Sequence, residues 1–213
     1  MKFSSQLWQK INPFYREIAS HPFNVELADG TLSKERFDFY IRQDVSYLRG
    51  LANAFSLIAQ RANSVRMVQQ FVSYSEDAFL TGRDLQALFL DPSECAFAPS
   101  PACRDYSNHL IKTAASASLE EAIAAVLPCF WIYRELSRKM EKIATLNNPY
   151  LQWITMNASQ EYSDMTDEVI ALVDENAGHC TEKALGQMEE VCVRSAHFEW
   201  RFWDDAYNML SCA

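Results

Sequence analysis

A cysteine follows a proline in the middle of a helical pattern, within the run Leu127-Pro128-Cys129-Phe130-Trp131-Ile132-Tyr133. Because Pro128 has no amide hydrogen and clashes with the preceding turn, we expect a kink, with the thiol at the start of the second half-helix. A helix start is electropositive and lowers the pKa of a thiol, so Cys129 is a candidate nucleophile. The alternative is a small core cysteine, which is the more frequent case for such a residue by itself. Steps of four and three predict a buried helix face made of Ala122, Val126, Cys129, Tyr133, Leu136, Met140 and Ile143.

Two further apolar stripes at helical spacing each contain a single carboxyl group, Asp44 or Glu199. A carboxylate in apolar surroundings is costly, so each group needs a partner or a ligand. Burial also raises the pKa of a carboxyl group, which would keep Glu199 protonated as a general acid requires. The alternatives are a cation that neutralises Asp44 and a tertiary partner for Glu199. The first stripe contains Phe37, Tyr40, Ile41, Leu48, Leu51, Phe55 and Ile58, and the second contains Leu185, Met188, Cys192, Ser195, Phe202 and Ala206.

A thiol and two carboxyl groups on three inward helix faces can converge inside a helical bundle. These side chains suit covalent catalysis on a small substrate. In this hypothesis Cys129 attacks the substrate, Glu199 transfers protons and Asp44 anchors the substrate.

Aromatic side chains near these positions could form the walls of a site for a flat ligand. Tyr47, Tyr106 and Tyr133 each bring a hydroxyl group and a ring face, although tyrosines at helical spacing are more often plain core. His109, one turn from Tyr106, is a rival base, but no Ser or Cys stands at a spacing that indicates a dyad with it. The pair Asp204-Asp205 is typical of a solvated helix face.

The elements that must position these residues are all helical. Five glycines and seven prolines are too few for a chain of many turns and strands. No repeat, low-complexity tract or linker divides the chain, so residues 1–213 are predicted to form one all-α domain, a helical bundle with its site between facing helices. The predicted helices span about 4–18, 33–61, 64–88, 100–113, 119–146, 149–175 and 181–210, with a loop at 91–100.

Composition and charge exclude several classes of function. The net charge is −9 and no basic run occurs, which argues against binding to nucleic acid or to an anionic membrane. No apolar run approaches the roughly 18 residues of a membrane span, and the first eight residues lack the apolar core of a signal peptide. The six scattered cysteines predict free thiols in a reducing cytoplasm, and the four histidines show no metal-ligand spacing.

Six sequence segments resemble the thiaminase II (TenA) family of haem-oxygenase-like helical proteins, in the expected order along nearly the whole chain. The resemblance implies an enzyme of thiamin salvage without a metal or organic cofactor, usually a homotetramer. Such enzymes hydrolyse 4-amino-5-aminomethyl-2-methylpyrimidine to the hydroxymethyl pyrimidine, and many also cleave thiamin into pyrimidine and thiazole. The segments are His21-Pro22-Phe23, Asp29-Gly30-Thr31-Leu32, Tyr40-Ile41-Arg42-Gln43-Asp44 with Tyr47-Leu48, Tyr106-Ser107-Asn108-His109, the run around Cys129, and Phe198-Glu199-Trp200-Arg201-Phe202-Trp203.

The resemblance also assigns roles to individual residues. It implies that Cys129 is the nucleophile, that Glu199 is the proton donor and that Asp44 binds the amino edge of the pyrimidine. Tyr47 matches a tyrosine close to the thiol. The remaining residues that match the pocket are Tyr106, Tyr133 and Phe202.

One position departs from the family pattern. Where the family usually has a pocket tyrosine, in a stretch similar to Trp-Ile-x-x-Tyr, this chain has Asn157 in Trp153-Ile154-Thr155-Met156-Asn157. An asparagine is shorter, and its amide both donates and accepts hydrogen bonds. The departure leaves room for a different leaving group, and it supports the alternative of a binding or regulatory protein that holds a pyrimidine without turnover. A di-iron oxidase on the same fold would need Glu-x-x-His-like spacing, which is absent.

Overall fold

The computed structural model describes residues 2–91 and 98–211, and nine helices lie in these two ranges. The predicted loop at 91–100 falls mostly outside them, as do Cys95 and Cys212. None of the described helices combines the length and the apolar character that crossing a bilayer requires. The helices are α1 (Phe3–Ser20), α2 (Pro22–Asp29), α3 (Lys34–Arg61), α4 (Val65–Phe89), α5 (Pro101–Ser116), α6 (Leu119–Glu141), α7 (Leu151–Asn157), α8 (Gln160–Ala177) and α9 (Glu182–Asn208).

Hydroxyl side chains begin most of the long helices. The caps predicted at Ser33 and Ser100 are confirmed: their oxygens accept the amide hydrogens of Arg36 and Cys103, at 3.4 and 3.2 Å. Such a cap satisfies a backbone donor that has no partner within the helix, and each is worth about 1 kcal/mol. Side-chain caps of the same kind come from Ser64, Ser118, Ser159 and Thr181.

Two predicted helix spans are wrong, and one helix was not predicted. Residues 149–175 form two helices, because the chain breaks after Asn157 and Ser159 caps a new helix. α6 ends at Glu141 rather than near residue 146, so Ile143 lies outside the helix and is 51% exposed instead of buried. The additional helix α2 begins at Pro22, a residue favoured in the first turn, and ends before Gly30 with its φ of 76°.

Helices α3, α6 and α9 contribute the inward faces that the sequence predicts. α3 packs against α4 and α5, while α6 packs against α8 and α9. Gly50 lets α3 and α5 approach closely, since a Cβ atom at this position would lie 2.7 Å from Cβ of Ser107. One hydrophobic core contains side chains from all nine described helices. The faces that carry Asp44, Cys129 and Glu199 therefore meet inside the bundle.

Candidate active site

Cys129 lies on the buried face of α6, and its side chain is 5% exposed. Its thiol donates a hydrogen bond to the carbonyl oxygen of Val126, with Sγ and O 2.9 Å apart. Burial raises the pKa of Cys129 well above its ordinary value, and the Glu199 carboxyl adds to this increase. The expected lowering of the thiol pKa is therefore wrong, and the resting group is a thiol.

The position of Cys129 within α6 explains this difference. Pro128 lies inside a helix that continues from Leu119 to Glu141, so Cys129 occupies the middle of the helix rather than its start. A proline removes an amide donor and so leaves a helical carbonyl without its partner. That freed group is electronegative and does not stabilise a thiolate. The backbone amide of Phe130 and the Tyr47 hydroxyl lower the pKa of Cys129, but by less than burial raises it.

Glu199 lies on α9 in almost complete burial, at 1% exposure. The Tyr106 hydroxyl donates to its Oε1 atom at 2.8 Å, which is the tertiary partner that the sequence left open. Burial raises the pKa of Glu199 to about 8, in spite of the hydrogen bond from Tyr106. Arg201, which cannot face Glu199 on the same helix, pairs instead with Asp105 at 3.3 Å. The expectation of a carboxyl group protonated at neutral pH is confirmed.

Asp44 is held on α3 by a hydroxyl network rather than by a cation among its described partners. The Tyr40 hydroxyl lies 3.3 Å from Oδ2 of Asp44 and 3.3 Å from the hydroxyl of Tyr133. Burial raises the pKa of Asp44 to about 7, while the hydrogen bond from Tyr40 lowers it. The group therefore changes its protonation state near neutral pH, and it accepts hydrogen bonds once it is ionised.

Tyr47 contacts two other predicted site residues, Tyr106 and Phe202. Its ring stacks on Tyr106 at 4.8 Å between centroids and meets the edge of Phe202 at 5.6 Å. Its hydroxyl is buried and has no hydrogen bond of ordinary geometry among the described residues. Burial raises the pKa of Tyr47 well above its ordinary value, and the nearby Cys129 and Tyr106 add to this increase. The neutral phenol is therefore a hydrogen-bond donor available to a ligand or to the thiolate.

A cavity of about 180 Å³ adjoins these groups. A cavity of roughly 150 Å³ holds a benzene molecule, so this one has the size for a single substituted ring. Five of the predicted site residues line it: Asp44, Tyr47, Cys129, Tyr133 and Asn157. The other three, Tyr106, Glu199 and Phe202, do not line the cavity and lie behind Tyr47 and the thiol.

The model of the TENA/THI-4/PQQC family matches residues 8–209. The chain belongs to this family. The family resemblance predicted from the sequence is thus confirmed over nearly the whole chain.

Individual relatives agree with the family match. The aminopyrimidine aminohydrolase of Halalkalibacterium halodurans is 30% identical over 98% of this chain and 96% of its own length. A TenA homologue from P. horikoshii OT3 superposes with a TM-score of 0.87 over 98% of this chain and 99% of its own, at 24% identity. A domain from Shewanella denitrificans, described as having a heme oxygenase-like fold, superposes with a TM-score of 0.75 over 96% and 92% of the two chains, at 16% identity. The all-α, haem-oxygenase-like fold is therefore confirmed.

Asn157, which departs from the family pattern, lies at the end of α7 beside the cavity. Its amide nitrogen donates to the carbonyl oxygen of Trp153 at 3.0 Å, one turn back in the same helix. This bond directs the amide group along its own helix. The side chain therefore leaves space in the cavity that a tyrosine ring would fill.

Three tyrosines of the site were not predicted from the sequence: Tyr40, Tyr74 and Tyr162, of which Tyr74 and Tyr162 line the cavity. Tyr162 on α8 lines the cavity, and its hydroxyl donates to the backbone carbonyl of Cys129 at 3.1 Å. Tyr40 is fully buried and connects Asp44 to Tyr133. Tyr40 stands on the same predicted stripe as Asp44, one turn away, and this spacing was the available signal. Tyr162 gave no such signal, because its helix was not separated from α7.

His109 contacts Ser195, a residue that the spacing along the sequence did not indicate as its partner. Its Nε2 atom lies 3.2 Å from Oγ of Ser195 on α9. Burial lowers the pKa of His109 to about 4, so the ring is neutral at physiological pH. Ser195 is fully buried, and neither residue lines the cavity, so the pair has a structural role in joining α5 to α9.

No group of three or more His, Cys, Asp or Glu side chains within 2–91 and 98–211 is arranged to hold a metal ion. The described residues that line the cavity present thiol, carboxyl and phenol groups.

Proposed function

We propose that this protein is a cysteine-dependent hydrolase of thiamin salvage that acts on 4-amino-5-aminomethyl-2-methylpyrimidine and also cleaves thiamin. The observation that carries the proposal is a ring-sized cavity in contact with a nucleophilic thiol and a carboxyl group, with a protonated carboxyl group behind them. The name of the Halalkalibacterium halodurans relative, an aminopyrimidine aminohydrolase, describes the same reaction.

The first step needs a thiolate, which Cys129 does not hold at rest. As sulfur attacks a ring carbon of the pyrimidine, the Glu199 carboxyl group donates its proton to a ring nitrogen and takes up the proton of the thiol in return. The net change is transfer of the thiol proton to the ring, and Glu199 is the proposed carrier because burial keeps its carboxyl group protonated. A carbon–sulfur bond forms and the ring loses its aromaticity.

The second step releases the leaving group. The electron pair of the ring system expels the amine from the exocyclic methylene group, which leaves as ammonia, or as the thiazole when thiamin is the substrate. Water adds to the methylene group and loses a proton to the departed base or to solvent. The ring nitrogen then returns its proton, through Glu199, to the sulfur as the carbon–sulfur bond breaks, so the ring becomes aromatic again and Cys129 is a thiol once more. The products are hydroxymethyl pyrimidine and either ammonia or the thiazole, and no oxidant or reductant is needed.

Asp44 orients the ring in this proposal. Its carboxylate accepts a hydrogen bond from the 4-amino group, and a protonated ring nitrogen would make that contact charge-assisted. The Tyr40 hydroxyl donates to the carboxyl group at 3.3 Å and is itself 3.3 Å from the Tyr133 hydroxyl, so it holds Asp44 in place. Tyr47 and Tyr106 supply hydroxyl groups near the thiol, and Phe202 supports the ring of Tyr47.

Assembly and location are further parts of the proposal. We propose that residues 1–213 act as one domain and form a homotetramer in the cytoplasm. Among the described cysteines, Cys129, Cys180 and Cys192 are free thiols, which agrees with a reducing compartment. An apolar row on the outside of α4 would be covered by another copy, and it consists of Val65, Val68, Val72 and Phe79, exposed by 37% to 74%. Light scattering that gives a monomeric mass would contradict this assembly.

The experiment that tests the activity is release of ammonia from the aminomethyl pyrimidine, with thiamin cleavage measured in parallel. Wild type should turn over, and Cys129→Ser should lose at least about 10³-fold in kcat while its circular dichroism is unchanged. Cys180→Ser, which changes a described thiol away from the cavity, is the matched control and should retain wild-type turnover. Tight binding of hydroxymethyl pyrimidine by a wild type without turnover would instead indicate a sequestering protein.

A further inference from the structure

The charged side chains described in the cavity lining are all acidic. The charged side chains among the described residues that line the cavity are Asp44 and Asp77, and no Lys, Arg or His side chain is among them. A cavity lined by carboxylates and apolar walls attracts cations and disfavours anions. Its ligand should therefore carry positive charge.

The two aspartates stand at different depths. Asp44 is buried at the inner end with Cys129, whereas Asp77 on α4 is exposed. The other exposed lining residues are Thr81, one turn along α4 from Asp77, and Met156 on α7. The mouth of the cavity therefore lies between α4 and α7, with Asp77 on its rim. The Ser73 hydroxyl lies 3.4 Å from Oδ2 of Asp77 and restrains the carboxylate.

We propose that Asp77 is a specificity residue that binds the positively charged group on the exocyclic methylene of the substrate. This inference rests on the proposed function, in which the amino edge of the ring faces Asp44. The substituent on the ring then extends towards the mouth. That substituent is an ammonium group in the aminomethyl pyrimidine and a thiazolium ring in thiamin, and both are cations at neutral pH.

The product lacks this charge. Hydrolysis replaces the cationic substituent with a neutral hydroxymethyl group, so the attraction to Asp77 is present in the substrate and absent from the product. Asp77 therefore favours substrate over product at the same site, and it does so without contacting the pyrimidine ring. Asn157, next to Met156 on α7, lines the same cavity.

The test compares Asp77→Asn with Glu76→Gln. Both variants lose one negative charge from neighbouring exposed positions of α4, but Glu76 does not line the cavity. The pair therefore separates a local contact from the general attraction of an acidic protein for cations. Calorimetry in a Cys129→Ser background gives Kd for the aminomethyl and hydroxymethyl pyrimidines without turnover.

Asp77→Asn should weaken binding of the aminomethyl pyrimidine about fivefold at low ionic strength, with a smaller difference in high salt. Binding of the hydroxymethyl pyrimidine should not change, and Glu76→Gln should match the Cys129→Ser parent for both ligands. Equal Kd values in Asp77→Asn and Glu76→Gln would overturn the inference, and so would equal weakening of both ligands. Since these are binding measurements, they decide the role of Asp77 even if ammonia release shows that the proposed hydrolysis is wrong.

Discussion

The hydroxyl of Tyr106 on α5 lies 2.8 Å from Oε1 of Glu199 on α9 and donates a hydrogen bond to it. This contact stabilises the ionised form of Glu199 and lowers its pKa, while burial raises the pKa by more, to about 8. The balance between the two effects determines the pH at which Glu199 stops being a proton donor. Tyr106 thereby adjusts the acid without lining the cavity itself.

Removing the Tyr106 hydroxyl should move the alkaline limb of the activity profile. The protonated form of Glu199 is the active form, so kcat should fall in wild type as pH rises through about 8. Tyr106→Phe keeps the ring that stacks on Tyr47 but loses the hydrogen bond that lowers the pKa of Glu199. The alkaline limb should therefore move to higher pH, as measured by ammonia release across a pH series. An unchanged limb would mean that Glu199 is not the group that titrates there.

Tyr40→Phe should move the acid limb of the activity profile. The ionised form of Asp44 is the form that accepts a hydrogen bond from the substrate, so kcat/KM should rise with pH through about 7. The Tyr40 hydroxyl lowers the pKa of Asp44, and its removal should move this acid limb to higher pH. The alkaline limb should stay in place, which makes Tyr106→Phe the control for this variant. Movement of both limbs together would contradict separate roles for the two carboxyl groups.

Tyr162→Phe should reduce turnover without abolishing it. Its hydroxyl supports the backbone at the nucleophile through the bond to the Cys129 carbonyl at 3.1 Å. A hydrogen bond of this kind has a net value of about 1 kcal/mol, so kcat should fall about fivefold. The rate at which a small alkylating reagent modifies Cys129 should change in parallel, because both rates depend on the orientation of the thiol. Wild-type kcat in this variant would show that the contact does not position the nucleophile.

The faces of α3, α6 and α9 could be predicted from the sequence because each stripe follows the helical period for five turns or more. The two carboxyl groups were visible for the same reason, since Asp44 and Glu199 each stand as a charge among apolar neighbours. The partner of Glu199 was not visible, because the contact with Tyr106 depends on how α5 packs on α9. The partner of Asp44 had a signal in the sequence, since Tyr40 stands one turn away on the same stripe.

The errors arise at places where a local pattern does not determine the fold. The sequence does not distinguish a proline that divides a helix from one within a continuous helix, and the thiol pKa at Cys129 depends on that distinction. Asp205 appears charged and solvated beside Asp204, yet it is buried and accepts the amide hydrogen of Ala102 at the start of α5, at 2.7 Å. Both outcomes depend on tertiary packing.

The close approach of α3 and α5 gives a stability prediction with a matched control. At Gly50 an added Cβ atom would lie 2.7 Å from Cβ and Oγ of Ser107, whereas at Gly186 on α9 it would meet no heavy atom within 4 Å. Gly186→Ala should stabilise the protein by about 1 kcal/mol, because alanine is the better helix former. Gly50→Ala should destabilise the protein by about 1–3 kcal/mol. The clash of the added Cβ atom with Ser107 costs more than the higher helix propensity of alanine contributes.

Thermal unfolding should therefore separate the two variants in sign, with Tm higher than wild type for Gly186→Ala and lower for Gly50→Ala. Gly50 lies one turn from Tyr47 on α3, so displacement of this helix should also lower kcat/KM. Gly186→Ala should leave kcat/KM unchanged, because Gly186 is exposed and far along α9 from Glu199. Equal stabilisation by both alanines would mean that Ser107 can move aside, and that close packing of α3 on α5 does not hold the cavity in shape.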